Sequence, residues 1–236
     1  MYLNCHSYFS FRYGTMNIPS LIAEAEKCGA DKVALTDINN TSGILDFIVQ
    51  CERKGIKPVA GIDFRNENIQ QFIGIARNEE GFFELNRLLT QCLSSGEGAI
   101  VPAQAPEMQH AFVIYPLHNI PSILKENEFI GVRTHQIHQV LFSPLRNKKE
   151  KMVLLAPVTF RSGSCENNGA DLQKRDFNIH RLLRAIEANT LLTKINVNEL
   201  SHQSEIMKPE AQLIEECVLL PEIFYQAKNI MDQCGI

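Results

Sequence analysis

Three polar segments, each directly after a short apolar run, carry the side chains in this chain best suited to chemistry. They are Asn4-Cys5-His6-Ser7, Thr36-Asp37-Ile38-Asn39-Asn40 and Gly61-Ile62-Asp63. His6, Asp37 and Asp63 supply an imidazole and two carboxylates, which are ligand types for a divalent metal. A metal held there would activate a bound water. The structural alternative stays open, because an Asp after a strand often caps a helix or closes an Asx-turn. Two further groups invite the same pair of readings. His135 and His138 stand at i, i+3, a spacing that suits metal ligation from a helix, but no carboxylate lies beside them. Arg146, Lys148, Lys149 and Lys151 form either a solvated loop or a phosphate contact beside a DNA path.

For the first three segments to converge, the runs before them must be neighbouring strands of one parallel sheet. The pattern supports this. Tyr2 to Cys5 reads as a strand, and Asn17 with Pro19 opens a helix whose apolar face holds Leu21, Ile22, Ala25 and Cys28. Gly29 ends it. Lys32 to Thr36 is a second strand. A helix capped by Ser42 follows and ends at Gly55, and Lys57 to Gly61 is a third strand. Phe72 to Ala76 is a fourth, followed by a helix from Gly81 to Leu93. The unit recurs about every 25 residues, the rhythm of βα crossovers and a mostly parallel sheet. Further strands are expected at Ala111 to Tyr115, Phe129 to Val132 and Met152 to Pro157. Helices are expected at Asn178 to Ala188, Glu210 to Leu219 and Glu222 to Cys234. Ser94 to Pro106 and Arg161 to Asp171 read as loops, the second polar enough to be disordered. Short strands, apolar on both faces, favour a distorted barrel with its functional groups at the C-terminal strand ends.

Composition narrows the function classes. The chain has 236 residues, 44% hydrophobic and 21% charged, enough for one α/β barrel with a real core. It contains no apolar run of membrane-spanning length, and its start lacks the profile of a signal peptide. A net charge of −4 argues against binding DNA through bulk charge. The seven cysteines include no CxxC pair, so buried thiols in a cytoplasmic protein are expected.

The order and spacing of the motifs resemble one family. They are NCHSYFSFRYGTMNIPSLIAEAEKCGADKVALTDINN, then GILDFIVQCERKGIKPVAGIDF, then IARNEEGFFELNRLLTQ. This run resembles the polymerase-and-histidinol-phosphatase (PHP) domains, and among them those of bacterial DNA polymerase III alpha subunits. The likeness is strong to about residue 93 and fades in the middle. It returns in EIMKPEAQLIEECVLLPEIFYQAKNIMDQCGI, which resembles a helical exit before a polymerase palm. The resemblance implies an α/β fold, a distorted (β/α)7-type barrel with a helical C-terminal extension. It divides the chain into a barrel domain at 1–200 and an exit segment at 201–236.

Carried over residue by residue, the family's metal site is incomplete. Its first histidine is Asn4 here and its second is His6. Its Asp-His pair is Asp37-Ile38, and its glutamate is Asp63. The later ligands fall within MQHAFVIYP, near His110, and LLAPVTFRS, where an Asp-x-His near Thr159 is missing. His118, His135 and His138 match no family position. His6, Asp37 and Asp63 therefore remain as a degenerate site with Asn4 and Ile38 as lost positions. Such a site would hold one weakly bound Mn, Zn or Mg ion at most, with no tightly bound cofactor.

Two functions follow. The first is structural: the domain stabilises a DNA-directed DNA polymerase (a nucleotidyltransferase) or docks other holoenzyme subunits, such as a proofreading exonuclease. DNA would then be reached through the rest of that polymerase. The second is a residual metal-dependent phosphoesterase, acting on DNA as a 3′–5′ exonuclease through His6, Asp37 and Asp63. A free-standing phosphatase would need the complete ligand set.

Overall fold

A computed structural model describes residues 1–94, 100–163 and 169–235. Eight strands form one curled sheet. They are β1 (Tyr2–Cys5), β2 (Lys32–Leu35), β3 (Lys57–Asn66), β4 (Ile69–Ala76), β5 (Ala111–Pro116), β6 (Glu128–Val132), β7 (Met152–Leu154) and β8 (Pro157–Val158). The spatial order is β7-β6-β5-β4-β3-β2-β1-β8. The two edge strands, β7 and β8, are consecutive in sequence. Only Leu155 and Ala156 join them, and three Cα steps reach about 11 Å at most. The sheet must therefore curl until its edges nearly meet, which makes the expected distorted barrel.

One strand departs from the parallel pattern. β4 pairs antiparallel with both β3 and β5. The sequence pattern predicts separate strands at 57–61 and 72–76. The structure extends both, β3 to Asn66 and β4 back to Ile69, and joins them in a hairpin. Glu67, at φ 52°, makes the tight turn. Asp63 therefore lies within a strand and not after one. Because β4 runs backwards, its first residues face the mouth formed by the C-terminal ends of its neighbours.

Among the described residues seven α-helices flank the sheet: α1 (Ile18–Lys27), α2 (Ile44–Arg53), α3 (Glu79–Ser94), α4 (Ile137–Leu141), α5 (Gly169–Glu187), α6 (Glu210–Glu216) and α7 (Glu222–Asp232). Asn17 caps α1 by accepting from Ser20 N at 2.9 Å. Gly29 and Gly55 follow α1 and α2 with φ of 63° and 68°. Ser42 does not cap α2. Its N–H donates to Asn40 Oδ1 at 2.7 Å, and the helix starts one residue later, after Gly43. Of the polar stretch 161–171, residues 164–168 lie outside the described residues, and 169 onward is helical. Cys165 also falls outside. Cys5, Cys51, Cys217 and Cys234 are buried thiols within one continuous core. That core also takes in Ile223, Phe224, Ala227, Ile230 and Met231 of α7. Among the described residues, no helix is long and apolar enough to cross a membrane.

The loop from β1 to α1 folds back on itself. Tyr8 N donates to Met16 O at 2.7 Å, and Gly14 N donates to Ser10 O at 2.8 Å. A Cβ at Gly14 would sit 1.8 Å from the Ser7 carbonyl oxygen, so the backbone approach permits only glycine. Gly14→Ala should destabilise the chain by about 2–3 kcal/mol, read by urea denaturation. Unchanged stability would show that this loop is free to open.

Candidate functional site

The mouth of the barrel gathers polar side chains from β1, β3, β4 and the segment after β8. Asn4, His6, Asp63, Arg65, Gln70 and Thr159 are all buried. The Asp63 carboxylate is their focus, and nearly everything meets one of its oxygens. His6 donates from Nε2 at 3.0 Å, a proton position assigned by the carboxylate acceptor. Arg65 donates from Nε at 3.0 Å and Nη2 at 2.7 Å. Gln70 Nε2 donates at 2.9 Å, and Asn4 Nδ2 stands at 3.5 Å. All of these reach Oδ2. Asp63 Oδ1 and Asn4 Oδ1 are buried acceptors without a partner among the described residues.

Arg65 is the group that sequence reasoning missed. It stands two residues after Asp63 on the same strand, so both side chains project to the same face. The β3–β4 register shifts between Phe64 and Arg65, and such a bulge re-aims the side chain beside it. Asn39 fixes the backbone there, accepting from Arg65 N at 3.0 Å and donating to Arg65 O at 2.8 Å. Asn39 has φ 46°, a left-handed turn that Asn tolerates. The guanidinium also lies 4.8 Å from the Tyr13 ring centroid, a cation–π contact. Its signal in the sequence is a cation two residues after an Asp, at the end of a mostly apolar strand.

Electrostatics follow from that pairing. Burial pushes the Asp63 carboxyl up, but the Arg65 charge, with His6 beside it, outweighs burial and holds it far below the usual range. Burial lowers Arg65, and Asp63 more than restores it, so the guanidinium stays charged.

Asp37 is turned to a different task. Its Oδ1 accepts from Ser7 N at 2.7 Å and Ser10 Oγ at 2.6 Å, and its Oδ2 accepts from Ser7 Oγ at 2.7 Å. Burial raises its pKa against these hydrogen bonds. Asp37 thus ties the β1–α1 loop to the end of β2. Ile38 bridges to Asp63 through the backbone and brings no ligand atom. Among the described residues, no group of three His, Cys, Asp or Glu side chains is placed to hold a metal ion. The set does not fit a multi-cation cluster, since one carboxylate is filled by Ser7 and Ser10 and the other carries a guanidinium.

The remaining histidines separate. His110 lies at the far end of β5, its backbone N–H donating to Glu84 Oε2 at 2.9 Å. His118 Nε2 contacts Gln70 O at 2.9 Å, close to the mouth. His135 lines a cavity of about 460 Å³ with Arg65, Arg133 and Glu205, whereas His138 does not reach it. The i, i+3 pair therefore does not act together. Of the basic stretch, Lys151 donates to the carbonyls of Lys125 and Glu126, and Lys149 pairs with Glu222.

Across the mouth, His6 Nδ1 faces Thr159 Oγ1 at 3.3 Å, and Thr159 donates to Glu205 Oε2 at 2.7 Å. α5 closes this side. His180 Nδ1 donates to Tyr13 O at 2.8 Å, and its Nε2 accepts from Ser201 N at 3.0 Å.

With the geometry set out, comparison with known proteins becomes informative. A family model described as PHP domain matches residues 3–116. Residues 3–116 are a PHP domain. Over 99% of its length the chain is 26% identical to an error-prone DNA polymerase of Symbiobacterium thermophilum, covering 25% of that protein. It is 33% identical to a DNA polymerase III subunit alpha of Neisseria meningitidis over 94 residues, 37% of this chain and 8% of that one. A DNA polymerase III subunit alpha of Buchnera aphidicola is 20% identical over the whole chain, with 23% of its own length covered. The chain thus spans about a quarter or less of the length of these relatives. The PHP resemblance read from the motifs holds, and so does the α/β barrel it implied.

Two outcomes follow from the geometry. Arg65→Ala leaves Asp63 buried without its countercharge and should cost about 3–5 kcal/mol in urea denaturation. A loss below about 1 kcal/mol would mean that other groups neutralise Asp63. His180 is depressed to about 4, first by burial, so the folded state keeps it neutral. The unfolded chain takes up its proton near pH 6.5, so stability is full above that value and falls toward pH 4. The expected slope is about 1.4 kcal/mol per pH unit at most. His180→Gln should remove that slope relative to the parent chain, and equal slopes would rule His180 out as its source.

Proposed function

We propose that this chain works in DNA replication as the PHP domain of a DNA polymerase III-type alpha subunit, with a structural and docking role. On this reading residues 1–200 are the barrel and 201–236 lead toward a polymerase palm. Metal-assisted nucleotidyl transfer belongs to that palm. The setting is cytoplasmic. The partners are other holoenzyme subunits, including a proofreading exonuclease, and DNA is met through the rest of the polymerase.

The observation that carries the proposal is the Arg65 guanidinium seated on Asp63 Oδ2. It supplies, from within the chain, the positive charge that a metal would bring to that carboxylate. With Asp37 given to Ser7 and Ser10, the metal site of His6, Asp37 and Asp63 is degenerate. The two unpartnered oxygens, Asn4 Oδ1 and Asp63 Oδ1, favour the second reading as far as one weakly held Mn, Zn or Mg ion. Two neutral or shared oxygens fall short of the six or more ligands that hard cations collect.

The test is elemental analysis of the purified chain after exposure to Mn²⁺ or Zn²⁺, joined to a 3′–5′ exonuclease assay on single-stranded DNA. Substoichiometric metal and no hydrolysis are expected, for the parent chain and for Asp37→Ala alike. Stoichiometric metal, with hydrolysis that Asp37→Ala abolishes, would establish the phosphoesterase instead.

A further inference from the structure

Helix α5 is amphipathic the wrong way round. Its buried face is polar. Asp176 accepts from Arg161 Nε at 2.8 Å, His180 bridges Tyr13 and Ser201, and Arg184 reaches Glu199 O at 3.3 Å. These residues recur at i, i+4 and i+8 and are 0–5% exposed. The outer face carries an apolar stripe. Ile179, Leu182 and Ile186 are 37%, 51% and 56% exposed, and Leu191 and Leu192 extend the stripe just past the helix. A helix that only covered a barrel would turn these faces round. The inward face is explained by the polar mouth it closes. Nothing among the described residues covers the outward one.

The stripe has a chemical bias. Lys174, Arg175, Asn178, Ile179 and Leu182 line a groove of about 450 Å³. Lys174 and Arg175 are exposed and have no ion-pair partner among the described residues. Glu187, the acid at the other end, is committed to Arg12 at 2.7 Å. The groove thus offers an aliphatic floor and two exposed cations, on a chain whose net charge is −4.

We propose that this face docks an acidic, amphipathic helical segment of a protein partner. The proposal rests on the docking role above and names its surface. Aliphatic side chains at i, i+3 and i+4 would fill the groove, and flanking carboxylates would meet Lys174 and Arg175. A symmetric dimer through this face fits poorly, since the second copy would bring the same cations against it. An anionic membrane fits poorly too, because surface anchoring takes a cluster of about 4–8 cations.

The experiment uses a fluorescent synthetic helical peptide with leucines at that spacing and flanking glutamates, and its lysine counterpart as control. Fluorescence anisotropy should show the glutamate peptide binding the parent chain and the lysine peptide not binding. The double variant K174E/R175E should weaken binding about tenfold or more, and Leu182→Ser should do the same, with unchanged circular dichroism in both. Equal affinity for both peptides, or no loss in either variant, would overturn the proposal. So would a dimer that Leu182→Ser dissociates, or binding to phosphatidylserine vesicles that the double variant abolishes. Purified polymerase III holoenzyme subunits separate this site from the docking role. Undiminished co-elution with K174E/R175E refutes the α5 site and keeps docking. No co-elution with the parent chain overturns both.

Discussion

A carboxylate fully buried at a barrel mouth must have a countercharge, because desolvating it alone costs more than a marginally stable fold can bear. Asp63 is 0% exposed, and Arg65 meets it from the same strand through two hydrogen bonds. Much of the surrounding structure serves that contact. The bulge between Phe64 and Arg65 aims the guanidinium. The Asn39 side chain stands in for a neighbouring strand, accepting and donating where a ladder partner would. Gln70 reaches the same oxygen only because β4 is antiparallel and so begins at the mouth.

The pair also determines what can pack above it. Tyr13 lies over the guanidinium, and its carbonyl accepts from His180. Its ring meets those of His6 and His180 edge-on, at 5.3 and 4.8 Å between centroids. A charged group below and a polar loop beside it call for a helix with a polar underside. Asp176, His180 and Arg184 provide one. With those positions taken, Ile179, Leu182 and Ile186 of α5 fall on the outer face. The reversed polarity of α5 is thus a consequence of the buried charge at the mouth.

What the sequence revealed divides along the same line. The βα rhythm, the Asn17 cap, and the glycines at 29 and 55 are local signals, and the structure follows them. The β3–β4 hairpin was hidden because its turn, Glu67-Asn68, has none of the glycine that usually marks a tight reversal. At the site, His6 and Asp63 were legible as polar residues beside apolar runs, and they do meet. That Asp37 accepts from Ser7 and Ser10 was not legible, because those contacts span 27 to 30 residues, whereas a helix cap or Asx-turn is local. Arg65 was overlooked because a cation in a strand ordinarily points to solvent. Thr159 and Glu205 join the mouth from 153 residues beyond His6 or further, and no local pattern announces such partners.

A tethered guanidinium and a bound cation neutralise a carboxylate with different dependence on conditions. A metal stabilises the folded state by mass action, so its contribution changes with the free ion concentration. Arg65 is present at unit occupancy whenever the chain folds, and its charge persists at every pH the fold survives. The guanidinium is also directional. It places two donors on one oxygen, Oδ2, and leaves Oδ1 without a partner among the described residues. A spherical ion would be drawn to both oxygens and would organise further ligands around itself. Arg65 does neither, and so it preserves the architecture around Asp63 without gathering the ligand shell that a metal-bound water needs. On the proposed reading, that asymmetry separates a mouth that holds the barrel together from one that hydrolyses.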